Sequence, residues 1–266
     1  MRRIRKIGLG YRRDLAAWID SRPANVECLE ITAEHFFEGH EESVSALARK
    51  FPLFVHGLGL SLGTPGPLDP VRWKKFARVV QIANPEWISD HIAFTRTAEV
   101  DLGHWNPVPP TQEMLRVIAD HAREVSECCG KPILLENITS YLQLKGDLGE
   151  TDFLNQLCDR ANCGLLLDVT NLFINSQNHG YDPLKRLQEI DRGRITQLHI
   201  VGYSREGERY TDSHSQPIQE ELIDLARAVV SHSPVQSIIL ERDEDFPGPD
   251  ELAGEMAKLN LIRGGN

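Results

Sequence analysis

The chain has 266 residues, of which 41% are hydrophobic and 26% charged, and its formal net charge is −10. These proportions are typical of an ordinary globular protein, and the surplus of acid argues against a nucleic-acid binder, which needs Lys and Arg for phosphate contacts. No apolar run approaches the roughly 20 residues that span a bilayer, and no signal-type apolar segment follows the basic start. Five cysteines without a C-x-x-C pair favour a reducing compartment. We therefore expect a cytoplasmic protein that binds neither nucleic acid nor membrane.

Apolar, β-rich runs alternate with helical patterns along the whole chain. The eight predicted strands are Ile4–Gly10, Val26–Ile31, Pro52–Gly57, Trp87–Phe94, Pro132–Asn137, Gly164–Val169, Ile195–Gly202 and Ser237–Asp243. Near-continuous apolar runs are typical of parallel strands that are buried on both faces. Eight strands, each followed by a helix, predict an α/β protein with one domain over residues 1–266, a (β/α)8 TIM barrel.

The clearest helical pattern lies between the fourth and fifth predicted strands. Apolar residues recur near helical spacing over Thr111–Cys129. Thr111 stands where a helix N-cap is expected, with an acidic residue in the first turn. The sequence therefore predicts a helix that begins immediately after Thr111.

Chemically active side chains stand at the ends of the predicted strands. In a TIM barrel, the C-terminal strand ends and the loops that follow them build the active site. The segment TDSHSQPI after the seventh strand adds two such residues, which can face one way in an extended segment. The residues at these positions are His56, Asp90, His91, Glu136, Asn137, Asp168, His199, Asp212, His214 and Glu241.

Four imidazoles and four carboxylates, with Asp90 left aside, are expected to converge on one barrel mouth. Singly, each has an ordinary alternative: His199 as a packed core residue, Asp168 as a cap, or Glu241 paired with Arg242. Jointly, four buried and unneutralised carboxylates are very unfavourable, and cations would compensate them. Eight donors exceed the needs of one ion, so we expect two or three metals that share carboxylates. Nitrogen and oxygen donors without clustered thiolates suit iron, manganese or zinc alike.

Seven segments in order resemble the multinuclear non-heme iron-dependent oxidases. That family includes the methanobactin and thiaglutamate peptide-modifying enzymes and belongs to the xylose isomerase-like TIM-barrel superfamily. The resemblance covers nearly the whole chain, from about Ile7 to the last helix. The segments are FPLFVHGLGLSLGTPGPLD, ISDHIAF, PILLENITSYL, CGLLLDVTNLFINSQNHG, QLHIVGY, DSHSQPI and ILERDEDFP.

The resemblance implies a cluster of two or three iron ions, mixed Fe(II)/Fe(III), with O2 as co-substrate. It also implies oxidation of cysteine in a ribosomally synthesised precursor peptide, a step of RiPP biosynthesis. Family outcomes include oxazolone–thioamide formation and excision of the β-carbon of a C-terminal cysteine. This chain looks less like the methanobactin enzyme, and this difference favours excision as its reaction. The residues to which the resemblance gives metal-ligand roles are His56, His91, Glu136, Asp168, His199, Asp212, His214 and Glu241.

Further polar residues are expected beside the metals or the substrate. These are Asn137, Asn171, Asp90, Glu34, His35 and Arg242. The chain reads Glu34-His35-Phe36 where members often have E-N-Y or E-N-F, and Thr170 stands in a segment where they often have D-V-N-N. We expect these departures to affect substrate fit. Because the chain ends soon after the eighth helix, we expect a separate leader-peptide-binding partner that forms a heterodimer with it.

Three other functions compete with the oxidase interpretation. They are a zinc-dependent phosphodiesterase or endonuclease of the same superfamily, a divalent-metal sugar isomerase, and a non-catalytic binding barrel. The segment Gly59–Gly63 matches the G-x-S-x-G nucleophile elbow, but three prolines in the following TPGPLDP argue against the helix that an elbow needs. His104, Trp105 and His179 are rim candidates for which a packing or surface role is also consistent.

Overall fold

The computed structural model describes residues 4–97 and 99–263. Its strands are β1 (Lys6–Gly10), β2 (Cys28–Thr32), β3 (Leu53–His56), β4 (Ile88–His91), β5 (Phe94–Arg96), β6 (Asp101–Asn106), β7 (Ile133–Glu136), β8 (Gly164–Asp168), β9 (Ile195–Ile200), β10 (Gly202–Glu206), β11 (Arg209–Gln216) and β12 (Ser237–Leu240). Within these ranges, eight parallel strands close into a barrel in the order β1–β12–β9–β8–β7–β4–β3–β2. The predicted (β/α)8 TIM barrel is therefore confirmed.

Helices connect the strands around the outside of the barrel. They are α1 (Ala16–Asp20), α2 (Glu41–Lys50), α3 (Pro70–Ala83), α4 (Gln112–Cys129), α5 (Glu150–Ala161), α6 (Val169–His179), α7 (Pro183–Glu189), α8 (Glu220–His232) and α9 (Pro249–Arg263), with 3-10 turns at Arg13–Leu15 and Ala33–Phe36. The Thr111 side chain accepts a hydrogen bond from the Met114 amide at 3.1 Å, which confirms the predicted start of α4. None of the described helices is long and apolar enough to cross a membrane.

Two antiparallel hairpins at the barrel mouth differ from the sequence prediction. The predicted fourth strand ends early, at His91, and β5 then pairs with β6. The segment TDSHSQPI, predicted as a loop, lies largely in β11, which pairs with β10. These strands are largely polar and pair with each other instead of with the barrel, so no apolar run marks them in the sequence.

The interior of the barrel has an apolar layer beneath a polar one. The apolar layer consists of Cys28, Phe54, Trp87, Leu134, Leu166 and Ile239. Two residues further along the same segments stand Glu30, His56, Ser89, Glu136, Asp168 and Glu241, all of them buried. Because side chains two apart on a strand point to the same face, the polar layer lies directly above the apolar floor. The strand alternation thus places the polar set at the C-terminal mouth.

Candidate metal centre

Strand register brings candidate ligands together in neighbouring pairs. His91 at the end of β4 lies beside Glu136 at the end of β7. Asp168 at the end of β8 lies beside His199 of β9. All four side chains are buried, and Asp168 and His199 are fully so. Residues from distant parts of the sequence therefore meet in one buried layer.

The donor atoms form three groups, in each of which they lie within 4.8 Å of one another. The first group contains His56, His91 and Glu136. The second group contains Glu136, Asp168, His199 and Glu241. The third group contains His214, Glu241 and Asp243. Glu136 belongs to the first and second groups, and Glu241 to the second and third, so the arrangement suits a row of ions bridged by carboxylates.

The first group has two neutral histidines that face one carboxylate. The Nε2 atoms of His56 and His91 lie 3.4 and 3.5 Å from Oε2 of Glu136. Nδ1 of His56 contacts Oγ of Ser89 at 2.8 Å, which fixes the ring. Burial lowers the pKa of His56 well below its usual range and that of His91 to about 3. Both rings are therefore neutral near pH 7, which is the form of histidine that binds metals.

The second group is organised around His199. Its Nδ1 atom lies 3.1 Å from Oε1 of Glu136 and 2.9 Å from Oε2 of Glu241. Its Nε2 atom contacts Oε1 of Glu30 at 2.5 Å, and Glu30 also accepts a hydrogen bond from Gln197. Burial lowers the pKa of His199, but the charges of Glu30, Glu241 and Glu136 outweigh it and raise the pKa well above the usual value. A bound cation would take the place of the Nδ1 proton between Glu136 and Glu241.

Asp168 offers one free oxygen to the second group. Its Oδ1 atom caps helix α6 by accepting a hydrogen bond from the Asn171 amide at 2.6 Å. Its Oδ2 atom is buried and makes no hydrogen bond with any described residue. The Asn137 side chain donates to the Asp168 carbonyl and accepts from its amide, at 3.0 and 2.9 Å. Asn137 and Asn171 thus both hold Asp168 in place.

The third group lies nearer the surface, where β11 meets the end of β12. Nδ1 of His214 lies 2.8 Å from Oδ2 of Asp243 and 3.8 Å from Oε2 of Glu241. His214 has a positive φ of 48°, a strained conformation for a non-glycine residue that often occurs at functional sites. Asp212, predicted as a ligand, lies outside the three groups and places Oδ1 2.9 Å from Nε2 of His214. Arg12 contacts Glu241 at 3.3 Å and also pairs with Asp243.

Sequence reasoning missed three residues of this centre. Asp243 follows Glu241 by two positions, and the spacing argument applied to Asp212 and His214 could have found it. Glu30 is a charged residue inside a predicted apolar strand, the same signal that singled out His199. Arg12 reaches Glu241 from 229 positions away in the chain, across the junction of β1 and β12.

Two of the predicted neighbouring residues support the loop after β3. Asp90 accepts hydrogen bonds from the amides of His91 and Leu60, at 2.6 and 3.2 Å. Glu34 accepts from the amides of Leu58 and Gly59, at 2.9 and 2.8 Å. Gly57 is required beside Asp90, because a Cβ atom at that position would lie 2.5 Å from the carboxylate.

The remaining predicted neighbours lie further from the three groups. His35 is exposed on the 3-10 turn Ala33–Phe36. Arg242 does not pair with Glu241: its Nη1 atom lies 3.5 Å from Oε2 of Glu255 on α9. Arg242 also donates to the carbonyl of Asp245 at 2.8 Å. The alternative of a local Glu241–Arg242 pair is therefore wrong, because Arg242 is directed to the outer helix.

Trp105 of β6 covers the first group. Its ring centroid lies 4.2 Å from that of His91, and its indole N–H donates to the Leu58 carbonyl at 3.0 Å. His104 beside it contacts its own hairpin, at the Leu102 carbonyl. Ser61 is not followed by a helix, since α3 begins at Pro70, and the structure thus has no nucleophile elbow there.

The orphaned polar atoms of the centre fit a metal site. Nδ1 of His91, Oε2 of Glu136 and Oδ2 of Asp168 are buried and make no hydrogen bond with a described residue. Such atoms are costly unless something compensates them. Burial, followed by neighbouring acids, raises the pKa of Asp168 well above its usual value, as expected for carboxyls packed together without a cation. The donor set of imidazole and carboxylate suits iron, manganese or zinc.

The fold is that of the xylose isomerase-like barrels. A xylose isomerase domain protein from Planctomyces limnophilus superposes with a TM-score of 0.64 at 15% identity, with 98% of each chain covered. D-psicose 3-epimerase from Clostridium cellulolyticum H10, solved with D-tagatose, gives 0.62 at 15% identity, over 97% of this chain and 98% of that one. Likenesses at such identities show the architecture alone.

The chain belongs to the family described as RiPP precursor modification enzyme MbnB/TglH/ChrH, whose model matches residues 6–263. A UPF0276 protein of Caulobacter vibrioides is 30% identical over 254 residues, covering 94% of this chain and 91% of its own. A UPF0276 protein of Acaryochloris marina is 32% identical over 262 residues, covering 96% and 94%. The family resemblance of the sequence is therefore confirmed.

Proposed function

We propose that this protein uses two or three iron ions and O2 to oxidise cysteine in a ribosomally synthesised precursor peptide. The observation that carries the proposal is the sharing of Glu136 and Glu241 among three groups of donor atoms. A shared carboxylate holds adjacent ions at a short separation, as multinuclear centres require. The family description, a RiPP precursor modification enzyme, supports a peptide substrate.

The donor set also leaves a role for the thiol of the substrate. Among the described residues, the three groups contain imidazoles and carboxylates but no cysteine. A thiolate is a good ligand for iron, and metal binding favours its deprotonated form. When bound, the iron would supply redox chemistry with O2. The precursor cysteine would be the thiolate ligand that the chain itself does not contribute.

The residues around the donors hold them in a fixed geometry. Ser89 fixes the His56 ring, Glu30 fixes the His199 ring, and Asn137 fixes the backbone of Asp168. Outer partners of this kind orient metal ligands and set their basicity. The apolar layer below, with Phe54 and Leu134, keeps water away from the underside of the centre. The oxidation would thus take place at the mouth alone.

Of the outcomes that the family resemblance implies, we favour excision of the β-carbon of a C-terminal cysteine. Written for a cysteine R–CH2–SH, in which R is the rest of the peptide attached through the α-carbon, the step is RCH2SH + O2 → RSH + HCO2H. The two bonds of the β-carbon to the α-carbon and to sulfur break, and a new bond joins the α-carbon to sulfur. The carbon leaves as formate, and O2 is the oxidant. Atoms and electrons balance without a further co-reactant.

We further propose a separate leader-binding partner that forms a heterodimer with this chain. The three groups and their outer partners lie on the barrel and its hairpins, and in this proposal they bind the metals and the thiol. Recognition of a leader sequence is a different task, which needs a second surface. The partner would raise the local concentration of the cysteine at the mouth.

The deciding experiment is metal analysis of protein purified without O2, together with Mössbauer spectroscopy and turnover assays. The chain would be co-expressed with a Cys-containing precursor peptide and a small leader-binding protein, both to be sought among the neighbouring genes. We expect at least two iron ions per chain, turnover that requires O2, and a peptide lighter by one methylene group with release of formate.

The competing functions give different results in the same experiment. A zinc phosphodiesterase or a sugar isomerase of this architecture needs no O2. Full activity of a zinc-loaded, iron-free protein in the absence of O2 would contradict the proposed oxidase. A protein that binds the peptide but never changes its mass would be a binding barrel instead.

A further inference from the structure

A cavity of about 540 Å³ opens beside the candidate metal centre. Its lining includes Ile92 and Asn137, which directly follow His91 and Glu136 of the first group. The cavity therefore borders the strand ends that carry His91 and Glu136. Its volume falls within the range of about 300–1,000 Å³ that is typical of ligand pockets.

The wall of this cavity is mainly apolar. Phe153 of α5 is buried in it, and Leu154 beside Phe153 packs against the core of the protein. The apolar lining residues include Ile92, Ile138, Leu142, Leu144, Phe153 and Leu154. Such a wall favours an apolar side chain over water, because transfer of apolar surface out of water is favourable.

The charged groups around the cavity are mostly paired with one another. Arg186 forms an ion pair with Glu150 at 3.1 Å and lies over the ring of Tyr181, 4.5 Å from its centroid. His179 contacts the Ser140 carbonyl through Nε2 at 2.6 Å. Lys145 is exposed, at the rim. An ionised guest would therefore lose its hydration without gaining a buried partner.

The outer wall is the segment of residues 138–149 that follows β7. Asn175 of α6 anchors it by donating to the Ile138 carbonyl and accepting from the Ser140 amide, both at 2.9 Å. Beyond this anchor, Leu142 is 63% exposed and Leu144 39% exposed. Large apolar side chains that stay exposed on the wall of a cavity are typical of a binding surface.

We propose that this cavity binds an apolar side chain of the precursor peptide adjacent to the cysteine that reaches the first group. The inference rests on the proposed function, because it takes the reacting residue to be a cysteine at the metals. Ile92 and Asn137, which directly follow His91 and Glu136, place the guest next to that cysteine. The apolar wall with paired charges selects leucine- or phenylalanine-like side chains. The segment 138–149 thus acts as a specificity element.

A binding assay with synthetic peptides tests this proposal. The probes are short fluorescein-labelled peptides with one C-terminal cysteine, preceded by Leu, Phe, Ser, Glu or Lys and otherwise identical. Dissociation constants are measured by fluorescence anisotropy on the iron-loaded full chain without O2. We expect the Leu and Phe peptides to bind about tenfold more tightly than the Ser peptide, and the Glu and Lys peptides to bind no better than Ser.

Two variants test whether the segment 138–149 causes the preference for apolar side chains. Leu142→Asp and Leu144→Asp should bring the Leu peptide to the affinity of the Ser peptide. Both side chains are exposed in the free protein, so the changes leave the fold intact. The matched control is Leu261→Asp on α9, since Leu261 is 62% exposed, compared with 63% for Leu142. The control variant should keep the full preference.

A cysteine-to-serine peptide separates failure of this inference from failure of the proposed function. If that change weakens binding but the neighbouring residue has no effect, the cavity proposal is overturned and the metal–thiolate proposal survives. If cysteine and serine peptides bind equally, the proposed function is contradicted. Equal binding of all peptides, or no binding, overturns the cavity proposal. The cavity proposal is also overturned if Leu142→Asp changes only the assembly with the leader-binding protein and leaves peptide binding unchanged.

Discussion

Glu136 places its Oε1 atom 3.1 Å from Nδ1 of His199, while its second oxygen, Oε2, makes no hydrogen bond with any described residue. Oε2 instead faces the two histidines of the first group, at 3.4 and 3.5 Å. One carboxylate therefore connects two groups of donors. Its removal should affect both.

Glu136→Gln should lower the iron content by about one ion per chain and abolish turnover, because an amide bridges two cations poorly. Metal content is measured by mass spectrometry after anaerobic loading, and folding by thermal melting. The control is Glu255→Gln, which changes another buried glutamate, 3% exposed compared with 2% for Glu136, that belongs to none of the three groups. Unchanged iron content in Glu136→Gln would remove the bridging role.

Glu30 positions His199 without belonging to any of the three groups. Its Oε1 atom contacts Nε2 of His199, which leaves Nδ1 to face Glu136 and Glu241. Glu30→Ala should lower metal affinity by about 10- to 100-fold, as expected for the loss of an outer partner. Glu30→Gln, which keeps a hydrogen-bond acceptor, should lower it less. Competition with a chelator measures both affinities, and equal losses in the two variants would point to a packing defect.

Metal binding should release protons. Burial raises the pKa of Glu136 to about 7 in the metal-free chain, and His199 opposes this effect. A metal ion requires the carboxylate form, so affinity should rise as the pH increases toward about 7. In the metal-free chain, a folded-state pKa above the usual value of 4.5 means that folding binds a proton. This contribution to stability is present below pH 4.5 and is lost as the pH rises through about 7.

Calorimetric titration with metal in buffers of different ionisation enthalpy counts the released protons. The count should fall in Glu136→Gln, which has no proton to release at that position. A proton count that is the same in the two proteins would assign the release to other groups, such as His199.

The sequence predicts most of the centre because a residue at the C-terminal end of a barrel strand must lie at the barrel mouth. His56, His91, Glu136, Asp168 and His199 each end or lie near the end of a barrel strand, where a buried polar residue interrupts an apolar run. An apolar run that is followed by a polar residue can be recognised in the sequence alone. The barrel then brings these strand ends to one mouth.

The remaining features depend on which segments meet in space. Arg12 reaches Glu241 only because β1 closes the barrel against β12. Asp243 joins His214 only because β11 folds back over the mouth. A local pattern does not show which strand end such a residue will contact, so the sequence analysis names Asp212 and His214 as ligands but not Asp243.

Trp105 offers a spectroscopic test of the first group. Its indole packs against the His91 ring, with 4.2 Å between ring centroids and 30° between the ring planes. An open-shell iron ion bound at His91 would quench this indole strongly, because excited-state energy and electrons transfer efficiently over a few ångströms. Loading the chain with iron should therefore lower its tryptophan fluorescence, and Trp105→Phe should remove the largest single part of that quenching.

Two controls make this prediction specific. Trp73→Phe removes an indole on α3 instead, and should leave most of the iron-dependent quenching in place. Zinc, with a closed d shell, should bind the same donors with little quenching. Trp87 should retain a smaller response in every variant, because it is linked to His199 through Gln197 and Glu30. If Trp105→Phe does not reduce the iron quenching, no iron occupies the first group. The row of ions would then begin at the second group.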